Sequence, residues 1–244
     1  MHTRLKHVPG LADAAAARGQ TLWDVRHSER SWSAATGVRR PGRRLLTVGT
    51  DCALGKKYTA LTLTRALTDL GFNATFRATG QTGIMISGSG VAIDAIVADF
   101  VAGAAEWLSP ANAADHWDVI EGQGALFHPA YAGVTLGLIH GSQPDALVLC
   151  HDPSRVTIED YPDFPLPSLE TAMQQYLTAA RLTNRGVRFV GISLNTSKLD
   201  EAARTRLKRD CEQAHQLPVI DPIRDGGGAI ATRIAGEFPR GAAA

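Results

Sequence analysis

Residues 49–59, which read GTDCALGKKYT, combine residue types that bind phosphate groups. They follow an apolar run typical of a strand and precede an amphipathic stretch typical of a helix. In that order, backbone N–H groups and a helix N-terminus point toward an anion, and Lys56 reaches its oxygens. The alternative is an ordinary strand-to-helix turn with a solvated lysine pair. The residues expected to hold a phosphate-containing cofactor here are Gly49, Thr50, Asp51, Gly55, Lys56, Lys57 and Tyr58.

Lys57 departs from the common G-x-x-x-x-G-K-[ST] pattern, in which a serine or threonine hydroxyl binds Mg²⁺. Phosphoryl transfer depends heavily on that metal to neutralise developing charge. A lysine cannot supply the hydroxyl, and Thr59 lies further along the helix, where it should face another way. A second cation suits a polyphosphate that is held rather than cleaved, such as the pyrophosphate of coenzyme A.

A carboxylate and a histidine follow the apolar run at 117–121, in the sequence EGQGALFHP. Ligands of open α/β sheets bind at the carboxyl ends of the strands. Glu121 is therefore the first candidate for a catalytic base, and His128 is the second. Glu121 could instead position a metal. The alternative is a tight strand exit with a solvated glutamate and a structural histidine beside a proline.

Polar residues near other predicted strand ends could recognise a substrate. Arg77 leaves the second apolar run in the sequence RATGQTG, where its guanidinium could bind a carboxylate or pair with a surface acid. Asn195 is a candidate cofactor contact, because an amide often contacts the base at this place in nucleotide-binding folds. Capping of the next helix explains Asn195 equally well. The expected substrate-binding residues are Arg77, Thr79, Gln81, Asp94 and His151.

Apolar runs alternate with longer amphipathic stretches from residue 44 onward, which predicts an α/β fold. The strand runs are continuously apolar, so helices should cover both faces of a mostly parallel sheet. This is the three-layer, P-loop NTPase-like fold. We expect residues 44–240 to form this domain and residues 1–43 to be a linker or the remnant of an N-terminal domain. The predicted strands are 44–49, 73–78, 117–121, 145–150, 187–194 and 218–221, and the predicted helices are 56–71, 91–107, 131–140, 168–184, 198–214 and 227–236.

Composition excludes several other classes of function. Lys and Arg number 25 against 24 Asp and Glu, so the sequence lacks the basic field that nucleic acid or an anionic membrane demands. Cys52, Cys150 and Cys211 lie far apart, which argues against a disulfide framework and against a metal site. No secretion signal or membrane span is recognisable. We expect a cytoplasmic homo-oligomer that acts on a small molecule.

Three long motifs are unusual enough to compare with known families: GTDCALGKKYTA, TGQTGIMISGSGVAIDAIVADFVAGAAE and EGQGALFHPAYAGVTLGLIHGSQPDALVLCHDPSR. They resemble a family of P-loop proteins whose described members are D-glutamate N-acetyltransferases. The resemblance implies acetyl-CoA as co-substrate and an acceptor of the D-glutamate type. Family members usually carry a further N-terminal α/β domain, and ADAAAARGQTLWDVR resembles its last helix and strand. The phosphate loop alone is also similar to the G-T-D-T-x-V-G-K-T loop of dethiobiotin synthetases.

The leading hypothesis is acetyl transfer from acetyl-CoA to the amino group of an acidic amino acid. Glu121 or His128 would act as the base, and Arg77 would hold a substrate carboxylate. Cys52 could carry the acyl group, although packing within the loop explains it better. Two alternatives stay open. One is a Mg-ATP-dependent ligase resembling dethiobiotin synthetase, with Glu121 and Asp94 on the metal, and the other is a non-catalytic nucleotide- or CoA-binding module.

Overall fold

The computed structural model of the protein describes residues 3–27 and 30–238, so residues 239 and 240 of the predicted domain lie outside the described residues. The strands are β1 Arg43–Gly49, β2 Asn73–Arg77, β3 His116–Ile120, β4 Ala146–His151, β5 Thr157–Ile158, β6 Tyr161–Pro165, β7 Arg188–Leu194 and β8 Val219–Ile220. The α-helices are α1 Leu11–Ala17, α2 Lys56–Asp69, α3 Gln81–Ser87, α4 Val101–Leu108, α5 Ala132–Ser142, α6 Leu169–Arg181, α7 Glu201–His215 and α8 Gly228–Glu237.

A six-stranded sheet with the order β2-β3-β1-β4-β7-β8 forms the centre of the molecule. Every pairing in it is parallel. The predicted α/β fold is confirmed, and each of the six predicted strands occurs within one residue of its expected bounds. β5 and β6, which were not predicted, form a separate antiparallel pair. Among the described helices, none is long and apolar enough to cross a bilayer.

Helices cover both faces of the sheet. Successive residues of each strand point to opposite faces, so an apolar strand needs cover on both sides. Leu46 of β1 packs with Leu138 of α5 in one core, which also includes residues of α4 and α6. Its neighbour Leu45 packs with Leu63 of α2 and Ile230 of α8 in the other core. All five side chains are at most 1% exposed. The continuously apolar strands therefore belong to a three-layer molecule.

The predicted helix at 91–107 is wrong in its first half. Val91 N–H donates to the Ala78 carbonyl at 3.0 Å, and Ile93 N–H donates to the Thr79 carbonyl at 2.9 Å. These bonds tie the stretch to the end of β2, so its N–H groups are not available for an α-helix. Its apolar periodicity reflects burial against β2. Two short 3₁₀ turns occupy the stretch before α4, at Ile93–Ala95 and Ala98–Phe100.

The extended segment at 30–42 lies across α4. Glu106 accepts hydrogen bonds from the Thr36 N–H at 2.9 Å and the Thr36 hydroxyl at 2.6 Å. Arg40 donates to the Ser109 carbonyl at 2.9 Å and to the Gly141 carbonyl at 2.8 Å. These contacts join residues 30–42 to the P-loop domain, although the sequence analysis assigned them to a linker or a remnant of another domain. The boundary between residues 43 and 44 stays a prediction.

Gly103→Ala is expected to loosen this segment, because a Cβ at position 103 would lie 1.8 Å from the Ser33 carbonyl oxygen. Backbone cannot give way as a flexible side chain can, so the free energy of unfolding should fall by about 1 to 3 kcal/mol. Urea denaturation measures the change. Gly236→Ala in α8 is the matched control, since its Cβ meets nothing within 4 Å. Equal stability of the two variants would show that the segment does not pack on α4.

Candidate active site

The loop between β1 and α2 closes around the ammonium group of Lys56. Lys56 Nζ donates to the Asp51 carbonyl at 2.7 Å, and the side chain is 6% exposed. Burial lowers the pKa of this ammonium. Gly55, the residue before α2, has φ 104°, a conformation that side chains rarely adopt. No described side chain caps the first turn of α2, so its N–H groups remain as donors for an anion.

The Asp51 carboxylate holds the loop to the β5–β6 connection. It is fully buried and accepts hydrogen bonds from the N–H groups of Cys52 at 2.6 Å and Glu159 at 2.9 Å. Arg155 Nη1 lies 2.9 Å from the same carboxylate and neutralises it. Because these donors bind the carboxylate, the Asp51 side chain fixes the conformation of the loop.

Two residues that the sequence did not single out fix the neighbouring backbone. The Tyr176 hydroxyl donates to the Gly49 carbonyl at 2.7 Å and accepts from Leu126 N–H at 3.1 Å. Burial raises the pKa of this phenol. The Thr47 hydroxyl accepts from Gly122 N–H at 2.9 Å. Both side chains join the phosphate loop to the loop after β3, and no local motif marks them.

The hydroxyl that could replace the absent Mg²⁺ ligand faces the core. Thr59 Oγ1 donates to the Gly55 carbonyl at 3.1 Å and lies 2.8 Å from Ser193 Oγ, and the residue is fully buried. Lys57 instead lines the open side of the loop, with Nζ 5.0 Å from the centre of the Tyr58 ring. The loop thus offers an ammonium group where a Mg²⁺-binding hydroxyl usually lies.

Glu121 presents a buried carboxylate at the end of β3. Its Oε2 accepts from Thr79 N–H at 3.0 Å and Gly80 N–H at 3.2 Å, and the residue is 4% exposed. Its Oε1 has no hydrogen-bond partner among the residues that the structure describes. Burial raises the pKa of this carboxyl, although the two N–H donors oppose the shift. A partly paired carboxylate with a raised pKa is suited to accepting a proton.

The unpredicted helix α3 provides the space for this carboxylate. A Cβ at Gly83 would lie 2.3 Å from Glu121 Oε2 and 3.1 Å from its carboxyl carbon. Because residue 83 is a glycine, α3 can approach Glu121 closely. Gly88, with φ 76°, ends the helix in the left-handed conformation.

Gly83→Ala should displace the Glu121 carboxylate and lower the turnover number of the catalysed reaction by about 10²-fold, the usual cost of misplacing a reacting group by 1 Å. Steady-state kinetics measure the effect. Gly133→Ala in α5 is the control, since a Cβ there meets nothing within 4 Å. Full activity of Gly83→Ala would contradict a catalytic position for Glu121.

The phosphate loop and Glu121 line one cleft of about 550 Å³. Arg26 from the N-terminal segment, residues 3–27, and Gln123 from the loop after β3 also line it. Six of the residues predicted from sequence come together here: Gly55, Lys56, Lys57, Tyr58, Asp94 and Glu121.

A family model described as a domain of unknown function (DUF1611_C) P-loop domain matches residues 32–231. The chain belongs to the DUF1611 family. The match begins inside the segment that lies across α4, ahead of β1. The P-loop fold predicted from the sequence is confirmed.

Three proteins similar to this chain are informative. A D-glutamate N-acetyltransferase of Tritonibacter scottomollicae is 48% identical over 96% of this chain and 71% of that protein. A second protein of that name, from a Pseudoalteromonas species, is 46% identical over 96% of this chain and 70% of its own length. A crystal structure of a DUF1611 family protein from Anabaena variabilis has a TM-score of 0.89 and 39% identity, covering 97% of this chain and 70% of that chain. The resemblance to D-glutamate N-acetyltransferases is therefore confirmed.

Other predicted site residues lie apart from the cleft of this DUF1611 domain. Arg77 Nε donates to Asp118 at 2.6 Å, and Arg77 lines a separate cavity of about 670 Å³. Gln81 lines a third cavity, beside the N-terminal segment, and its Oε1 is buried without a partner among the described residues. Asn195 Oδ1 accepts from Ser197 N–H at 3.2 Å in a local turn, whereas the residue that caps α7 is Asp200. Their substrate- and cofactor-binding roles stay predictions.

Two histidines of the DUF1611 domain lie close to the phosphate loop. His151 Nδ1 is 2.9 Å from the Thr50 hydroxyl, and burial lowers the pKa of this imidazole. His128 is 3% exposed, stacks on Tyr131 at 4.4 Å, and accepts from Ala130 N–H through Nδ1 at 3.2 Å. The proton of neutral His128 therefore lies on Nε2, which suits donation rather than proton abstraction.

Asp51, Cys52 and His128 place their potential ligand atoms within 4.8 Å of one another, close enough to surround a metal ion. Arg155 and two backbone N–H groups already engage the Asp51 carboxylate. Burial also raises the pKa of the Cys52 thiol, which opposes the thiolate that a metal requires. The ligand atoms of Asp51, Cys52 and His128 therefore do not suit a divalent cation.

Proposed function

We propose that the protein is an N-acetyltransferase that moves an acetyl group from acetyl-CoA to the amino group of an acidic amino acid of the D-glutamate type. The observation that carries the proposal is the cleft that joins Lys57, in place of a Mg²⁺-binding hydroxyl, to the buried Glu121 carboxylate. The names of two relatives with 48% and 46% identity support the same chemistry.

In this proposal the phosphate loop binds the diphosphate of acetyl-CoA without a metal. The free N–H groups of the first turn of α2 and the Lys57 ammonium supply donors for the phosphate oxygens. Lys56 keeps the loop in shape through the Asp51 carbonyl and adds positive charge beside it. These groups can bind a polyphosphate, and their role does not involve cleaving it.

Glu121 acts as the base in direct transfer. The acceptor ammonium first loses one proton to solvent. As the neutral amine nitrogen then attacks the thioester carbonyl carbon, a C–N bond forms and the C–S bond breaks. The amine proton passes to Glu121 Oε1, which has no hydrogen-bond partner among the described residues, and then to the departing thiolate of CoA. No covalent enzyme intermediate is required, so Cys52 needs no role as an acyl carrier.

The direct test is incubation with acetyl-CoA carrying ¹³C in its acetyl group, with D-glutamate, L-glutamate or D-aspartate as acceptor. Mass spectrometry should detect a labelled N-acetyl amino acid, with one free CoA thiol released per product. Free thiol without any N-acetylated product would contradict the proposal. We still predict that the protein is a cytoplasmic homo-oligomer. Sedimentation velocity tests its oligomeric state.

A second candidate is the Mg-ATP-dependent ligase. The observation that favours it is the presence of the Asp94 and Glu121 carboxylates in one cleft with Lys56, since carboxylates are ligands that Mg²⁺ accepts. Against it, Lys57 stands where a Mg²⁺-binding hydroxyl usually lies, and the Thr59 hydroxyl faces the core. Nucleotide turnover that depends on Mg²⁺ and on an added carboxylic acid would favour this candidate.

A further inference from the structure

The N-terminal segment contributes a cation to the candidate active site. Arg26 lines the cleft that contains Lys57 and Glu121, and its Nη1 lies 2.7 Å from Asp94 Oδ2. The Arg26 side chain is 15% exposed and the Asp94 side chain is 40% exposed. A guanidinium and a carboxylate of different chain segments therefore form a pair on the wall of the cleft.

The backbone on either side of Arg26 is fixed by its own contacts. Val25 packs against the small apolar cluster that includes Ala78 and Ile84. The Asp24 carboxylate accepts from Leu5 N–H at 3.0 Å and lies 2.9 Å from His27 Nδ1. Arg26 is thus presented by an anchored turn, which reduces the entropy lost when it binds a ligand.

The charges along the cleft suit an anionic amino acid. Arg26, Lys56 and Lys57 are its lining cations, against the carboxylates of Asp94 and Glu121. An acidic amino acid carries two carboxylates and one ammonium, so it needs a guanidinium fork for a carboxylate and an acid for the ammonium.

We propose that Arg26 and Asp94 are the recognition pair for the acceptor, with Arg26 binding a carboxylate and Asp94 holding the amino group near Glu121. This inference rests on the proposed acetyl transfer. It gives Arg26 the role that the sequence assigned to Arg77, which is engaged by Asp118 and lines another cavity. The N-terminal segment then contributes to acceptor specificity.

Arg26→Gln tests the pair through specificity. D-glutamine lacks the side-chain carboxylate of D-glutamate, and 4-aminobutyrate lacks the α-carboxylate. In the wild type, kcat/KM should favour D-glutamate over both analogues. In Arg26→Gln at least one of these preferences should fall by about 10- to 100-fold, the worth of a charge-assisted hydrogen bond. The KM for acetyl-CoA should change by less than about twofold, within the usual effect of a site that the ligand does not touch.

Asp94→Asn should raise the KM for D-glutamate by about 10-fold, because the ammonium loses its charged partner. Arg18→Gln, an exposed arginine of the same segment, is the matched control and should keep both preferences. Unchanged preferences in Arg26→Gln would overturn the inference while leaving acetyl transfer intact. If the wild type transfers no acetyl group, the proposed function fails. Calorimetric titration of D-glutamate then tests whether Arg26 and Asp94 recognise the acceptor. Equal affinity of the wild type and Arg26→Gln would overturn that inference.

Discussion

Glu121→Gln is expected to lower kcat/KM for acetyl transfer by about 10² to 10⁴-fold, the usual contribution of a general base. The same substitution should raise Tm at pH 8. A glutamine oxygen can accept both N–H groups that now bind Glu121 Oε2, while the cost of burying a charge disappears. Kinetics and thermal denaturation measure the two effects. If Glu121 is the catalytic base, kcat/KM should fall while Tm rises.

The pH dependence follows from the raised pKa of Glu121. Glu121 accepts a proton only when ionised, so kcat/KM should fall as pH is lowered through a pKa above the ordinary carboxyl value of 4.5. The fold favours the protonated carboxyl, so its stabilising contribution is present at low pH and is lost as pH rises through the raised pKa. The Tm difference between Glu121→Gln and wild type should therefore widen with pH.

Glu170→Gln on α6 is the control for both measurements, because Glu170 is an exposed carboxylate outside the cleft. It should leave kcat/KM and Tm nearly unchanged, as exposed substitutions usually do. A Tm difference for Glu121→Gln that narrows with pH would contradict the raised pKa. Retained activity in Glu121→Gln would exclude Glu121 as the base.

Lys57→Ser is expected to raise the Kd for acetyl-CoA by about 10- to 100-fold, because one charged donor to the phosphate oxygens is lost. The change also restores the G-K-[ST] pattern and its Mg²⁺-binding hydroxyl. Affinity for ATP should then depend on Mg²⁺ in the variant more than in the wild type. Isothermal titration calorimetry measures each Kd with and without Mg²⁺.

Two further variants control this experiment. Lys57→Arg keeps the charge and should bind acetyl-CoA nearly as the wild type does. Lys198→Ser removes an exposed lysine after β7 and should have no effect, although it changes net charge equally. An unchanged Kd in Lys57→Ser would mean that the phosphates of acetyl-CoA do not contact this side of the loop.

The sequence predicted the six-stranded sheet and the phosphate loop because both depend on local patterns. The strands of a parallel sheet covered on both faces are continuous apolar runs, and the loop has a fixed glycine and lysine spacing. Glu121 was identified for the same reason, since it directly follows a strand run. Its position opposite the phosphate loop follows from the adjacent, parallel β1 and β3.

Features that depend on contacts between distant residues could not be predicted. The first part of the 91–107 stretch has helical periodicity, yet hydrogen bonds to the end of β2 prevent a helix there. Helix α3 was not predicted, and its Gly83 admits the Glu121 carboxylate because it has no side chain. Arg26 has no recognisable motif, and only the fold of the N-terminal segment brings it to the cleft.

Calorimetric titration can show whether this P-loop binds acetyl-CoA without a metal, as we propose. Acetyl-CoA and ATP are each titrated calorimetrically into the wild-type protein, in the presence of EDTA and of Mg²⁺. We expect acetyl-CoA to bind with the same Kd in both conditions and more tightly than ATP does in either. Binding of ATP alone, and only with Mg²⁺, would contradict it and leave the ligase as the function of the cleft.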